Sequence, residues 1–287
     1  MKKIQHSKRK SLTIKNSGRS SDFITPSFGF GCLYKCKYCT LRRHKPDGLS
    51  IASNTKEILN TIDYHSQLLD NKTPNQTHKK YWTYDISCNE DFSLHAKFHK
   101  WKDIFDFFKY HPKVMATMAT KYVNPDLCNY DANSKVRIRF SLMPQYMSSI
   151  MEPKTSKIID RIKAINAFID AGYDVHVNFS PVILYRNWLE DYKDLFQMLN
   201  DYVDYKDVVK AEVIFLTHNE KLHKLNVEEN FNGERFLWVP SLQEEKISTL
   251  NKTVNLRYER NKKSDFINQF KSLHSSIIPW NTIRYIF

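Results

Sequence analysis

Short β-rich runs alternate with amphipathic helical patterns through most of this chain, and this alternation limits the possible folds more than any other feature of the sequence. The clearest helical pattern opens at Thr155 or Ser156, carries apolar residues on one stripe as far as Phe168, and ends at Gly172. Strands and helices joined by short connections predict a parallel α/β sheet or barrel, in which ligands bind at the carboxyl ends of the strands. The predicted strands are Tyr81–Ile86, Val114–Ala119, Val136–Phe140, Val175–Phe179 and Ala211–Leu216.

The two ends of the chain have a different character. Residues 1–20 are basic, rich in Ser and Asn and poor in periodic apolar positions, so we expect a flexible arm. Residues 226–287 contain a polar segment, two strand-like runs, a helical pattern and a final strand-like IRYIF. We therefore expect an arm (1–20), a barrel domain (21–225) and a C-terminal extension (226–287) of hairpin, helix and strand that packs on the barrel and contacts nucleic acid.

Three of the five cysteines are crowded into one short stretch, GCLYKCKYCTLRRH, where Cys32, Cys36 and Cys39 follow the spacing C-x3-C-x2-C. An odd number of thiols cannot form a closed disulfide framework, and clustered thiols in a reducing compartment more often hold metal. One alternative is a structural zinc ion, which needs four ligands and would take His44 as the fourth. The other is an iron–sulfur cluster, in which three thiolates leave one iron open for a ligand.

Charge and hydropathy narrow the class of partner. The formal net charge is +13 and the pI is about 9.3, values that fit either a polyanionic partner such as nucleic acid or a solvated basic surface. No apolar run approaches the roughly 20 residues that span a bilayer, so we expect no membrane segment and a cytoplasmic protein.

The cysteine spacing followed by an α/β repeat resembles the radical S-adenosylmethionine superfamily, and the aromatic Tyr38 before the last cysteine fits that pattern. Several further segments, in order along the chain, resemble the spore photoproduct lyase family. They are RIRFSLMPQYMSSIMEPKTS, RIKAINAFIDAGYDVHVNFSPVI, Trp188 to Leu199, VIFLTHN and the final IRYIF. The resemblance implies a partial (β/α)6 TIM-type barrel, a [4Fe-4S] cluster on Cys32, Cys36 and Cys39, and S-adenosylmethionine bound at its open iron.

Other residues receive roles by the same resemblance. Lys121, in ATKYV, matches a family lysine that contacts the cofactor carboxylate, and Ser141 matches a serine of the cofactor pocket. Cys88, in YDISCNED, matches a cysteine that donates a hydrogen atom to the thymine radical, and Asp91 is a lesser candidate for the pocket. The ordinary interpretations are a solvated lysine, a turn-capping serine and a small buried thiol, and we assign Cys128 to that last class.

The sequence departs from the family at two places. The family carries tyrosines on both sides of the last cluster cysteine, but here Tyr38 is followed by Thr40, whose O–H bond is too strong to relay a hydrogen atom. A family hairpin that inserts at the lesion is not clearly matched by residues 235–258, where Trp238, Arg257 and Tyr258 are either core residues or contacts for nucleotides.

These observations lead to one leading hypothesis and two alternatives. The first is a radical lyase that repairs a thymine-derived photoproduct in DNA, with the lesion flipped out of the stack and with flavodoxin or ferredoxin as electron donor. The second keeps the cofactor and changes the substrate to another nucleic-acid base or a peptide. The third is a non-catalytic, zinc-dependent module that binds nucleic acid.

Overall fold

The computed structural model describes residues 3–44, 48–247 and 253–287, and it contains three sheets and a set of covering helices. The strands are β1 (Lys3–Ser7), β2 (Lys15–Asn16), β3 (Phe23–Ile24), β4 (Gly29–Phe30), β5 (Gly48–Ala52), β6 (Trp82–Asp85), β7 (Val114–Thr120), β8 (Val136–Leu142), β9 (Asp174–Val182), β10 (Lys210–Phe215), β11 (Thr217–Asn219), β12 (Gln243–Ile247), β13 (Val254–Tyr258) and β14 (Thr282–Ile286).

The helices lie mainly between these strands. They are α1 (Leu41–His44), α2 (Thr55–Gln67), α3 (Phe92–His95), a 3-10 turn (Ala96–Phe98), α4 (Trp101–Tyr110), α5 (Pro125–Cys128), α6 (Gln145–Met151), α7 (Ile158–Asp170), α8 (Trp188–Tyr202), α9 (Glu220–Glu228), α10 (Glu234–Leu237) and α11 (Arg260–Ile277). None of these helices is long and apolar enough to cross a membrane.

The largest sheet has the strand order β14-β10-β9-β8-β7-β6-β3-β2. The run from β3 through β6, β7, β8 and β9 to β10 is parallel and follows chain order, which confirms the expected partial (β/α)6 barrel. All five strands predicted from β-rich runs are present, each within two residues of its expected start and three of its expected end. Central strands such as β8 are buried along their whole length, as parallel strands covered by helices must be.

Thr155 or Ser156 was predicted as the N-cap of a helix, but the helix begins at Ile158 and its N-cap residue is Lys157. The two hydroxyls that we expected to cap it make other bonds, because Thr155 donates to the Glu152 carbonyl (2.9 Å) and Ser156 accepts from the Val123 N–H (3.1 Å). The first free N–H of the helix is bound by the side-chain oxygen of Gln145 at 2.9 Å. The predicted end is confirmed, since Gly172 has a left-handed backbone (φ +79°) directly after the C-cap residue Ala171.

Residues 3–20 differ from the flexible arm that we expected. Residues 3–7 form β1, which pairs in parallel with β5, and β2 pairs with β3 in the largest sheet. The Arg9 guanidinium donates to the Ser27 carbonyl (2.9 Å) and to the Ser50 hydroxyl (2.9 Å). Backbone pairing, which needs no apolar periodicity, therefore holds this segment against the fold.

The C-terminal region contains the expected hairpin, helix and strand. Strands β12 and β13 pair in antiparallel fashion, and β11 pairs with the other edge of β13. Helix α11 packs against α8. The last strand is not part of a separate extension, because β14 pairs in parallel with β10 at one edge of the largest sheet.

Side chains span the open side of the partial barrel. Tyr285 of β14 and Ser20, in the turn between β2 and β3, share a hydrogen bond of 2.7 Å between their hydroxyls. Arg284 donates to the Gln76 carbonyl at 2.8 Å, in the segment that precedes β6. The two edges of the sheet are thus linked by side chains and not by backbone pairing.

Candidate functional site

The three clustered cysteines lie on the loop between β4 and α1. The loop opens at Gly31, whose left-handed backbone (φ +108°) suits glycine and whose N–H bonds to the Asn89 carbonyl at 3.0 Å. A tight turn then joins the Cys39 N–H to the Cys36 carbonyl at 3.0 Å, and the Lys37 N–H bonds to the Met151 carbonyl at 2.8 Å. The loop is therefore fixed at both ends to segments that follow barrel strands.

The electrostatics of the loop suit metal ligation. Burial, aided by the Asp91 carboxylate, raises the pKa of the Cys32 thiol to about 12, and burial also raises the pKa of Cys36 and Cys39. The Lys121 cation acts in the opposite direction on all three thiols. Thiols with raised pKa values release their protons only to a stronger positive charge, which is what bound iron or zinc supplies. The donor set therefore fits an iron–sulfur cluster.

Lys121 extends from the carboxyl end of β7 toward the cysteine loop. Its amide donates to Asp91 Oδ2 at 2.8 Å, and the preceding Thr120 hydroxyl donates to Asp91 Oδ1 at 2.7 Å. Asp91 also caps α3 by accepting from the Leu94 N–H at 3.1 Å. These bonds give Asp91 a positioning role in the structure, holding the strand end from which Lys121 extends.

A buried carboxylate, Glu152, organises the charges beside Lys121. It accepts from Arg161 Nη2 at 2.9 Å, lies 3.9 Å from Lys121 Nζ, and receives a short hydrogen bond from the Tyr38 hydroxyl. Burial alone would raise the pKa of Glu152, but Arg161 and Lys121 outweigh it and the pKa is lowered. Burial likewise opposes the charge of Lys121, yet Glu152 and Cys36 raise its pKa. Both groups are therefore ionised at neutral pH.

Ser141 lies on β8, beside the position that Lys121 takes at the end of β7. Thr120 pairs with Phe140 across β7 and β8, so Lys121 and Ser141 are the next residues on adjacent strands. Ser141 in turn pairs with Asn178 of β9, whose buried side-chain oxygen Oδ1 has no hydrogen-bond partner among the residues that the structure describes. An unpartnered buried acceptor costs about 1–3 kcal/mol. The pocket therefore offers a free acceptor to a ligand that brings its own donor, as an amino group does.

Cys88 follows β6 at the same end of the barrel, and its side chain is exposed. The loop is held by the preceding residue, since the Ala119 N–H bonds to the Ser87 hydroxyl at 3.0 Å. Partial enclosure by protein, together with the Asp85 carboxylate, raises the pKa of the Cys88 thiol to about 11. Its S–H group is thus intact at neutral pH. Cys128, by contrast, packs against the hydrophobic core.

Tyr38 and Thr40 have different surroundings. The Tyr38 ring packs against the hydrophobic core, with Lys121 Nζ 5.8 Å from its centroid, and burial followed by Glu152 raises the pKa of its hydroxyl well above the usual value. Thr40 is exposed, immediately before α1. Only the first of the two tyrosine positions therefore carries a redox-capable side chain directed at the buried charge network.

A second hydrogen-bond network supports the cysteine loop, because Arg42 and Asn226 both donate to the Lys37 carbonyl. Arg42 of α1 donates to Asn226 Oδ1 (2.5 Å), and Asn226 donates to Glu234 Oε2 (2.5 Å). His218 and His223 both donate to Glu234 Oε1, at 2.8 and 2.6 Å. The ligand-type atoms of these three side chains lie within 4.8 Å of one another. Their mutual hydrogen bonds explain the cluster without a metal ion.

Of the aromatic and basic residues suggested for nucleotide contact, Tyr258 is excluded. It is 2% exposed, and its hydroxyl accepts from the Leu184 N–H at 3.0 Å, so it is a core residue. Trp238 is half-buried, with its ring 6.3 Å from that of His223. Arg257 lies on β13, the middle strand of the three-stranded sheet β11-β13-β12.

The residues that the sequence did not identify are Glu152, Arg161 and Asn178. Glu152 lies within the segment MEPKTS and Asn178 within VNFSP, but neither pattern alone distinguishes a buried charge or acceptor from a surface polar residue. A carboxylate directly before Pro153, followed by an arginine inside the apolar helix α7, was the one available signal.

A loop with three clustered cysteines lies beside a parallel partial barrel, and Lys121 and Ser141 lie at the carboxyl ends of the adjacent strands β7 and β8. The sequence model described as spore photoproduct lyase matches residues 3–286, and the chain belongs to this family.

Individual relatives give the same result. The chain is 28% identical over 196 residues to the spore photoproduct lyase of Bacillus subtilis (strain 168), covering 67% of this chain and 55% of the relative. It is 26% identical to that of Geobacillus sp. (strain Y412MC61), covering 67% and 54%. The chain therefore spans about half the length of the curated relatives that it matches.

Solved structures share the fold. A spore photoproduct lyase complexed with dinucleoside spore photoproduct superposes with a TM-score of 0.86 at 20% identity, over 99% of this chain and 82% of that one. A mutant with bound AdoMet and dinucleoside spore photoproduct gives the same TM-score at 18% identity and the same coverage.

Proposed function

We propose that the chain is a radical S-adenosylmethionine lyase that repairs a thymine-derived photoproduct in DNA. The observation that carries the proposal is the meeting of three thiols, Lys121 and Cys88 at the carboxyl end of one partial barrel. The family membership of the chain supports this proposal, as do solved relatives that bind AdoMet and dinucleoside spore photoproduct.

The residues that would hold the cofactors are those of the cysteine loop and the adjacent strand ends. Cys32, Cys36 and Cys39 would bind a [4Fe-4S] cluster, Lys121 would pair with the carboxylate of S-adenosylmethionine, and Ser141 would line its pocket. When bound and reduced, these groups supply a 5′-deoxyadenosyl radical. Asn178 Oδ1 is a free acceptor for the cofactor amino group or for the substrate.

Cys88 is proposed as the hydrogen-atom donor to the substrate. Its thiol is exposed and keeps its proton at neutral pH because its pKa is raised to about 11. A weak S–H bond can quench a carbon radical, which a thiolate cannot do. Tyr38 is proposed as the second redox residue. Its ring would give one electron to the thiyl radical left on Cys88, whose sulfur takes a proton from solvent, and the phenol proton would pass to the ionised Glu152, to which the Tyr38 hydroxyl donates.

The proposed partners follow from charge and access. A formal net charge of +13 favours binding to the DNA backbone, and a lesion must leave the base stack to reach a thiol at the barrel mouth. The electron that starts the reaction would come from a flavodoxin or ferredoxin. The free thiols of the cysteine loop require a reducing compartment, which is our reason for proposing the cytoplasm.

The test is an anaerobic assay of the reconstituted chain with S-adenosylmethionine, dithionite and DNA that contains spore photoproduct. Thymine and 5′-deoxyadenosine are measured by mass spectrometry for the wild type, for Cys88→Ala, and for Cys128→Ala as a control cysteine. We expect thymine from the wild type and the control, and 5′-deoxyadenosine with thymine lost or diverted to other products in Cys88→Ala. Formation of 5′-deoxyadenosine with an intact lesion in the wild type would refute the repair function.

Thr40 favours a second candidate with the same cofactors and another nucleic-acid base or a peptide as substrate. The same assay separates the two, because that candidate leaves the lesion intact. A zinc-dependent binding module is distinguished by metal analysis, since the cluster hypothesis requires about four irons per chain and the module one zinc.

A further inference from the structure

A basic cavity lies against the cysteine loop. It has a volume of about 350 Å³, and its charged lining consists of Lys35, Lys37, Arg42, Lys154 and Glu229. Lys37 and Arg42 both pair with Glu229, at 3.0 and 2.5 Å. Within the described part of the chain, Lys35 and Lys154 have no ion-pair partner, so the cavity has a net positive charge.

Both of these lysines have a left-handed backbone. Lys35 has φ +58° and Lys154 has φ +68°, and the other non-glycine residues with positive φ in the described ranges are Asn133, Ser134 and Asn230. A left-handed conformation costs a side chain such as lysine about 1 kcal/mol, and glycine or asparagine would avoid most of that cost. Two strained, exposed lysines thus flank one cavity, at positions where the backbone favours other residues. Their charge is the property that glycine and asparagine lack.

The cavity shares no lining residue with the proposed substrate site. It is lined by Leu33, Tyr34, Lys35 and Lys37, which lie between the cysteines, while Cys32, Cys36 and Cys39 themselves do not line it. Neither Lys121, Ser141 nor Cys88 contributes to its wall. A molecule that docks here would contact the residues between the cysteines and leave the proposed substrate site free.

We propose that this cavity is the docking surface for a small acidic one-electron carrier, such as a reduced flavodoxin or ferredoxin. This inference rests on the proposed function, because it assumes a cluster on the three cysteines. One electron leaves the carrier, which is oxidised by one electron, and enters the cluster, which is reduced by one electron; no proton or atom is transferred. Acidic groups of the carrier would pair with Lys35 and Lys154, whose charges steer its approach.

DNA is the other polyanion that a basic surface attracts. The lesion must reach Cys88 and Lys121, neither of which lines the cavity that Lys35 and Lys154 flank. The position of the cavity therefore favours the carrier, and DNA binding at this surface becomes an outcome of the test.

The experiment compares the double charge reversal Lys35→Glu/Lys154→Glu with the control Lys271→Glu, an exposed lysine of α11. Binding of oxidised flavodoxin is measured by calorimetry at low salt, with and without the cluster, and binding of undamaged duplex DNA is measured in parallel. We expect flavodoxin affinity to fall about tenfold or more in the double variant alone, with DNA affinity changed less than twofold. Formation of 5′-deoxyadenosine should fall when flavodoxin is the reductant and stay unchanged with dithionite.

A second variant separates charge from folding. Lys35→Asn/Lys154→Asn removes both charges and suits the left-handed backbone, so it should lose flavodoxin affinity without losing thermal stability. Unchanged flavodoxin affinity in both double variants would overturn the proposal, and an equal loss of DNA affinity would assign the surface to DNA. Absence of 5′-deoxyadenosine with dithionite in the wild type would instead refute the proposed function, while the binding data would still decide whether the surface docks the carrier.

Discussion

The buried carboxylate of Glu152 gives the sharpest stability prediction. Glu152→Gln keeps the shape and the hydrogen-bonding capacity toward Tyr38 but removes the negative charge. Arg161, fully buried and 2.9 Å from the carboxylate, and Lys121, with a side chain 19% exposed, would then lack their counterion. Breaking a buried ion pair by removing one partner typically costs about 3–5 kcal/mol.

The retained hydrogen bonds place the expected loss at the low end, about 3 kcal/mol. For a chain of this size a change of 1 kcal/mol shifts Tm by about 2–4 °C, so Tm should fall by about 6–12 °C. Denaturant titration of the cluster-free chain gives the free energy of unfolding directly. The control is Glu229→Gln, an exposed carboxylate that also pairs with two cations and should cost at most about 1 kcal/mol.

The pH dependence provides a second check. The folded pKa of Glu152 is lowered, so its contribution is complete above the unfolded value of about 4.3 and is lost as pH falls through the folded pKa. The stability difference between wild type and Glu152→Gln should therefore be constant near neutral pH and narrow in acid. A difference below about 1 kcal/mol at pH 7, or one that grows on acidification, would refute the assignment of an ionised, charge-balancing Glu152.

Two further predictions concern the cofactor and the packing. Lys121→Met should weaken S-adenosylmethionine binding to the reconstituted chain about 10- to 150-fold in equilibrium dialysis, as expected for a lost charge-assisted bond, and unchanged affinity would remove Lys121 from the pocket. Gly29→Ala should destabilise the chain by about 1–3 kcal/mol in thermal unfolding, because the added Cβ would lie 2.3 Å from the buried Glu90 carboxylate. Gly18→Ala is the control, because its added Cβ would meet no described atom within 4 Å. It should show only the smaller stability cost of its positive φ. Equal losses of stability in the two variants would contradict the predicted clash at Gly29.

The sequence predicted the parts of the fold that depend on local periodicity. Strands β6 to β10 are short β-rich runs, and α7 repeats its apolar residues at helical spacing, so each is encoded within a short window. Strand β1 was missed because KIQHS has no apolar alternation, and its stability comes from pairing with a strand more than 40 residues away. Tertiary pairing of this kind leaves no local signal.

The site was predictable to a similar extent. The cysteine spacing and the family resemblance led to Cys32, Cys36, Cys39, Lys121, Ser141 and Cys88, and the structure places all six at one end of the barrel or on the loop above it. Their assigned roles stay predictions. The Glu152 network could not be predicted, because its members Tyr38, Lys121 and Arg161 come from three separate segments that meet only in the folded chain.

The hydroxyl contact between Ser20 and Tyr285 has a consequence for synthesis. These residues are separated by 265 positions, so the contact can form only after the ribosome has released nearly the whole described sequence. Until then β10 lacks its outer neighbour β14, and its unpaired edge is a template for strands of other chains. The nascent protein therefore passes through a stage in which the edge of the sheet at β10 is unpaired and prone to aggregation. Pairing of the five-residue strand β14 with β10 ends this exposure.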